Sequence, residues 1–120
     1  MEKLIKTKHN ILIFILLIFP VIQLYPQEKK NAEIKIKTSA VCGMCKGRIE
    51  KGLAFEKGVK DVTLDLETKV ATIQYNTKAT TPEELRLKIS KLGYDADSLM
   101  ADKKAYDKLP VCCKKDAPPH

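Results

Sequence analysis

Tryptophan is absent from the 120 residues, histidine occurs only twice, and aromatic side chains make up 6% of the chain. Each scarcity closes off a class of function. The histidines, His9 and His120, stand near the two ends and neither can be argued into a site. Ser39, Ser90 and Ser98 therefore have no plausible imidazole partner for nucleophilic work. No glycine-rich phosphate loop occurs. A nucleic-acid surface would want a basic stripe interleaved with aromatics, and the positive charge, +7 from 22 Lys+Arg against 15 Asp+Glu, is instead scattered through every segment. Length permits one small domain and excludes a large multilayered enzyme. Against these absences stand four cysteines, which ask for an explanation in so short a chain.

The first ten residues, MEKLIKTKHN, are polar and net positive, and Ile11–Phe19 is an unbroken apolar run, extended past Pro20 by Val21, Ile22 and Leu24. A basic start before such a run is how a secretory signal begins. The run is short of the about 20 residues a spanning helix wants. No small-x-small cleavage site follows, which leaves a choice between an atypical cleaved signal, the favoured reading, and an uncleaved anchor. The membrane enters only through residues 11–24 if that anchor stays. Either way residues 1–27 are read as a targeting segment, and the remainder as exported to the periplasm or cell envelope.

Beyond the linker Gln27–Asn31, Glu33–Ala40 alternates and reads as a half-buried strand. A helix is expected from about Lys46 to Lys57, with Ile49, Leu53 and also Ala54 and Phe55 in its apolar stripe and Gly58 just past its end. Asp61–Leu66, with Val62, Leu64 and Leu66 on one face, and Val70–Tyr75, with Ala71, Ile73 and Tyr75 on one face, read as a hairpin. Thr81-Pro82-Glu83-Glu84 announces a second helix: Thr81 as N-cap, Pro82 at the first helical position, Glu84 completing a capping box. Leu85, Ile89 and Leu92 form its buried stripe and Gly93 ends it. An α+β sandwich of four strands then needs a closing strand, which is brief, around Tyr94–Ala96. After it, residues 98–120 are an extension: a short helix over Ser98–Leu109 and a Lys- and Pro-rich tail expected to be disordered after Cys113. Asp95, Asp97 and Asp102 read as solvated or helix-capping.

Cys42-Gly43-Met44-Cys45 lies where the first strand gives way to the first helix. Two intervening residues let both sulfurs turn toward one point, and a helix N-terminus favours thiolate. Lys46 and Arg48 add positive charge. Paired thiolates suit Cu(I), and also Zn(II) or other thiophilic ions; redox proteins and structural zinc sites use the same spacing. The set Cys42-x-x-Cys45-x-x-x-Ile49-Glu50, Gly58-Val59, Thr81–Glu84 and Gly93-Tyr94 resembles the heavy-metal-associated domain family over about residues 33–97. That family includes small copper chaperones, metal domains of copper-pumping ATPases and the periplasmic mercury-binding protein. The resemblance implies a ferredoxin-like βαββαβ fold with a short or degraded fourth strand. It also implies metal capture by Cys42 and Cys45, with Tyr94 close to the metal loop as in the bacterial type.

There are two departures. The Gly-Met that the family usually places just before the first cysteine is here Ser39-Ala40, while Gly43-Met44 stands between the cysteines. This puts the usual loop support in doubt; Met44 is read first as a packed apolar residue, and second as an outward thioether ligand. The other departure is Cys112-Cys113. Adjacent side chains diverge, so the two are not expected to share one ion. Three readings stand: a disulfide, within the extension or to the first pair; one thiol joining Cys42 and Cys45 as a further metal ligand if the extension folds back; or a thiol pair on a flexible tail that meets partners.

The functional expectation is a non-catalytic, monomeric, exported protein that binds a soft ion, Cu(I) first and Hg(II) or Zn(II) as alternatives. It passes the ion by thiolate exchange to or from a partner such as a membrane metal transporter, and binds no nucleic acid. The competing expectation is a thiol–disulfide oxidoreductase using the same pair.

Overall fold

The computed structural model describes residues 30–117; the targeting reading of residues 1–27 lies outside them, as does His120. Among the described residues no helix is long and apolar enough to cross a membrane.

Strand β1 (Asn31–Lys37) is followed by helix α1 (Gly43–Ala54), strands β2 (Val59–Asp65) and β3 (Val70–Asn76), helix α2 (Pro82–Lys91), a short helix α3 (Lys103–Asp107) and a 3-10 turn at Val111–Cys113. The strands form an antiparallel sheet in the order β1-β3-β2. Period-two alternation decides what the sheet buries. Ile34, Ile73 and Val62 align across the three strands in one row, and Ile36, Ala71 and Leu64 in the next. Ile36, Ala71, Ile73 and Leu64 are fully buried, and Ile49 and Leu53 of α1 and Leu85 and Ile89 of α2 join the same cluster. The fold is the expected α+β architecture, with both main helices contributing to one core.

Several boundaries differ from expectation, each for a local reason. Helix α1 starts at Gly43, so Cys42 is its N-cap and Cys45 belongs to its first turn, earlier than the expected start near Lys46. It stops at Ala54, and Phe55, expected in the buried stripe, is 83% exposed, as Ala54 is also exposed. The stripe is instead Cys45, Ile49 and Leu53, an exact run of i, i+4 steps. Gly58 has φ +87 and sits in the turn into β2, a conformation closed to most other residues. Leu66 falls in the hairpin turn and faces solvent. Thr81 caps α2 by accepting from the Glu84 N–H at 3.2 Å, while the Glu84 carboxylate takes the Thr80 hydroxyl at 3.1 Å.

The closing strand is reduced to a single bridge, Thr38 to Ala96, on the free edge of β1. Around it the Asp97 N–H donates to the Lys37 carbonyl and the Lys37 N–H to the Asp97 carboxylate. Strand pairing goes no further because Asp97 has φ +53 and Ala96 pairs back onto Leu99, turning the chain around. That turn also corrects the expected Ser98–Leu109 helix. Residues 98–102 are kept out of a helix by that turn and by Ser90, whose hydroxyl donates to the Met100 carbonyl and whose own carbonyl accepts from the Asp102 N–H. Only Lys103–Asp107 coils, with Asp102 as its cap.

Candidate metal centre

The extension after α2 is docked onto the domain, not splayed from it. Gly93 has φ +103, and a Cβ there would come within 3.1 Å of the Ala105 backbone and 3.2 Å of the Leu109 side chain, so α3 packs against a position where any side chain would be strained and crowded. Leu109 and Cys113 are buried in the same cluster as Ala40, Cys45 and Tyr94. The Lys115 ammonium meets the Asp95 carboxylate at 2.7 Å, and the Lys115 N–H donates to the Tyr106 hydroxyl at 3.1 Å. Lys114 and Lys115 both place their ammonium groups near the face of the Tyr106 ring, at 5.7 and 5.8 Å. The expectation of a disordered tail beginning after Cys113 is thus corrected for Lys114–Ala117. Asp95, read from sequence as solvated, is an anchor whose partner lies twenty positions away.

This docking gathers sulfur. Cys42 Sγ is 3.4 Å from Cys45 Sγ and 3.9 Å from Cys113 Sγ. Cys113 Sγ is 4.0 Å from Cys112 Sγ, which is 3.8 Å from the Met44 thioether. The thiols of Cys42, Cys112 and Cys113 all lie within 4.8 Å of one another, in an arrangement able to hold a metal ion. All four cysteines are free thiols. Adjacent cysteines were expected to diverge, and in a strand they would. In a 3-10 turn consecutive side chains are only about 120° apart about the axis, and two short thiols at that angle meet. Met44 is 53% exposed, so it faces outward and does not pack beneath the loop. Support comes instead from below the motif: Ala40 is fully buried, its N–H donating to the Thr38 hydroxyl, and the Ser39 hydroxyl accepts from the Asp95 N–H at 2.9 Å.

The thiols are electrostatically unequal. Cys42 is the N-cap of α1, a helix with no acidic residue in its first turn. Partial burial pushes its thiol up, but the Cys45 N–H and thiol, the Met44 N–H and the Cys113 thiol outweigh that, and its pKa falls to about 7. Cys113 goes the other way: burial first, then the neighbouring Cys45 and Cys42 thiols, raise it well above the ordinary thiol range. Tyr94 is fully buried, and its hydroxyl has no hydrogen-bond partner among the described residues. Burial, and next the thiols of Cys113 and Cys45 beside it, hold the phenol protonated. Those thiols are its neighbours without meeting it in hydrogen-bond geometry. Lys46, expected to lend free positive charge, donates to the Leu64 carbonyl at 2.7 Å and pairs with Glu50 at 3.1 Å. Burial pushes the Glu50 carboxyl up, but the Leu64 N–H and Lys46 outweigh it, so the net shift is downward. Arg48 is exposed.

Comparison with known proteins matches this geometry to a family. The heavy-metal-associated domain model covers residues 36–95, half of the chain. A copper-exporting P-type ATPase of Staphylococcus saprophyticus is 43% identical over 67 residues, which is 56% of this chain and 8% of the ATPase. One from Staphylococcus epidermidis is 40% identical over 79 residues, 66% of this chain and 10% of its own length. The chain therefore spans a tenth or less of those relatives. Among solved structures, the water-soluble region of the P-type ATPase CopA from Bacillus subtilis superposes with a TM-score of 0.53 at 34% identity, covering 58% of this chain and 47% of that one. The CopZ metallochaperone superposes with a TM-score of 0.53 at 24% identity over 54% of this chain and 98% of its own, a likeness of fold. The chain belongs to the heavy-metal-associated domain family.

Proposed function

We propose that this protein captures a soft cation, Cu(I) foremost, with Hg(II) and Zn(II) as alternatives, at Cys42 and Cys45 and passes it to or from a partner by thiolate exchange. The observation that carries the reading is the thiol pair 3.4 Å apart on the first turn of α1, in a domain of this family. Soft thiolates select soft ions. A thiol with a pKa near 7 is partly ionised at neutral pH, so Cys42 makes first contact and Cys45, buried beneath it, closes on the ion. Each thiol that binds surrenders its proton to water as the metal–sulfur bond forms. Release reverses this: an incoming thiolate adds to the ion, one cysteine leaves and is reprotonated, and no electron changes hands.

The copper-exporting character of the ATPase relatives favours a membrane metal transporter as donor or acceptor. The basic, apolar character of residues 1–24 favours export to the periplasm or cell envelope. The reading is of a monomeric, non-catalytic carrier that binds no nucleic acid. A thiol–disulfide oxidoreductase draws no support from the relatives described above.

Native mass spectrometry of the reduced protein titrated with Cu(I), Zn(II) and Hg(II) tests the site. The wild type should take up Cu(I) and hold it against a competing chelator, and Cys42→Ser/Cys45→Ser should not. Equal uptake by the two proteins would sink the assignment.

A further inference from the structure

The sulfurs contributed by the extension are not needed for a two-cysteine site, yet they stand against it. Five sulfur atoms form a contiguous cluster, in which the neighbours Cys45–Cys42, Cys42–Cys113, Cys113–Cys112 and Cys112–Met44 are 3.4, 3.9, 4.0 and 3.8 Å apart. With metal–sulfur bonds of about 2.3 Å, two sulfurs on one ion lie about 4.6 Å apart in a linear site, about 4.0 Å in a trigonal one and about 3.8 Å in a tetrahedral one. The 3.9 Å between Cys42 and Cys113 matches a trigonal or tetrahedral shell, and the 3.4 Å between Cys42 and Cys45 would have to open slightly to take an ion.

We propose that Cys113 is a third thiolate for the ion held by Cys42 and Cys45, so that the docked extension is a built wall of the metal site. The inference rests on the reading of Cys42 and Cys45 given above. Cys113 is assigned in preference to Cys112 because it is 1% exposed and looks inward, whereas Cys112 is half-buried and turned toward the exposed Met44.

A second observation points independently to a ligand. The Tyr94 hydroxyl is a fully buried donor with no acceptor among the described residues, and the groups beside it are the thiols of Cys113 and Cys45. An unsatisfied buried hydroxyl is costly, and a neutral thiol is a weak acceptor. Once an ion replaces the thiol protons, those sulfurs carry thiolate charge and the phenol gains the acceptor it lacks. Thiolate at either Cys45 or Cys113 would resolve the orphan, which places Cys113 on the same ligand-facing wall as Cys45. The third observation is anchoring. Lys115, two residues past Cys113, is fixed to Asp95, one residue past Tyr94. The tail thus reaches the site at a defined register and its thiol is pre-positioned, which spares the ion the cost of ordering a loose ligand.

Atoms and charge balance simply. Three S–H bonds break, three metal–sulfur bonds form, three protons pass to water, and the ion keeps its oxidation state. Cys112 and Met44 remain on the open side as a softer pair, the face at which an incoming partner thiolate would meet the ion.

The test uses the full chain, reduced, with Cu(I) as probe. X-ray absorption gives the number of bound sulfurs, and competition with a chromogenic chelator gives the affinity. Wild type should show three sulfurs. Cys113→Ser should show two and bind at least about tenfold more weakly, since loss of groups merely behind a ligand already costs 10–100-fold. Cys112→Ser should keep three. Circular dichroism establishes that each variant folds, and Asp95→Asn, which frees the tail with every cysteine in place, should weaken binding in the same direction as Cys113→Ser. Two sulfurs in the wild type with unchanged affinity in Cys113→Ser would overturn the inference, as would loss of a sulfur in Cys112→Ser alone. The Cys42→Ser/Cys45→Ser variant separates the two failures. If it loses the ion while Cys113→Ser does not, only the third ligand falls; if it binds as wild type does, the site itself falls.

Discussion

Cys42 and Cys113 face the same small space, yet they are tuned in opposite senses. Cys42 borrows the N–H groups at the start of α1, and its pKa drops to about 7. Cys113 is enclosed by apolar groups and other sulfurs, and its thiol is held protonated. In the metal-free protein, alkylation by iodoacetamide should therefore single out Cys42, with a rate that rises through a midpoint near pH 7. Cys113 should stay unmodified until the fold opens. Peptide mapping after timed labelling checks both, and a Cys42 midpoint at the ordinary thiol value would contradict the helix-terminus argument. Tyr94→Phe probes the same wall from the other side. Removing an unsatisfied buried hydroxyl should raise the stability of the metal-free protein by about 1 kcal/mol. The loaded protein loses a donor to thiolate, so Cu(I) affinity should fall by roughly tenfold. Opposite signs in the melting and chelator-competition experiments are the outcome a purely structural role would not produce.

At the scale of elements, the parts built from short-range rules were legible. The hairpin and the Thr81 cap follow from alternation and from side chains within four residues of their partners. The i, i+4 stripe is legible too, and it extends one step further back than Ile49, to Cys45, which places the second cysteine of the motif on the buried face. The extension was not legible, because every bond that fixes it is non-local. Ser90 holds Met100, Gly93 admits Ala105 and Leu109, and Asp95 reaches Lys115. No periodicity encodes such pairings, and the aspartates that make them look like any solvated acid. The Asp95–Lys115 pair also fixes the pH range in which the tail stays docked. Burial pushes the Asp95 carboxyl up, but Lys115 and the Ala101 N–H outweigh it and hold its pKa below the ordinary value. A carboxylate depressed in the folded state contributes stability above its unfolded pKa, and that contribution is lost as pH falls through the folded value. Docking should accordingly be flat from about pH 5 to 8 and loosen only in acid, below about pH 4. The Lys115 amide, which donates to Tyr106 in the docked form, reports this by hydrogen exchange or by its NMR shift.

For the molecule as a whole, the docked tail should set how fast a bound ion leaves. A two-cysteine loop on an open surface offers an incoming thiolate direct access to the ion, and exchange then needs only one ligand to leave. Here the approach is narrowed: Cys113 and Leu109 fill the inner side and Cys112 with Met44 the outer one. An arriving partner must either displace the tail sulfur or enter beside Met44. Lys46, already tied to Glu50 and Leu64, adds little long-range steering, so Arg48 and the dispersed lysines carry any attraction to an acidic partner. Removing residues 110–120 takes away Cys112 and Cys113 together with the Lys115 anchor and leaves Cys42, Cys45 and the sheet intact. The truncated protein should hold Cu(I) more weakly, and it should also surrender it faster to a small dithiol such as dithiothreitol. The dissociation rate should rise by about tenfold or more, because most affinity changes at one site appear in the off-rate. Stopped-flow transfer from loaded protein to the dithiol measures this directly. Equal rates for the full and shortened chains would mean that the tail packs beside the ion without governing its exit.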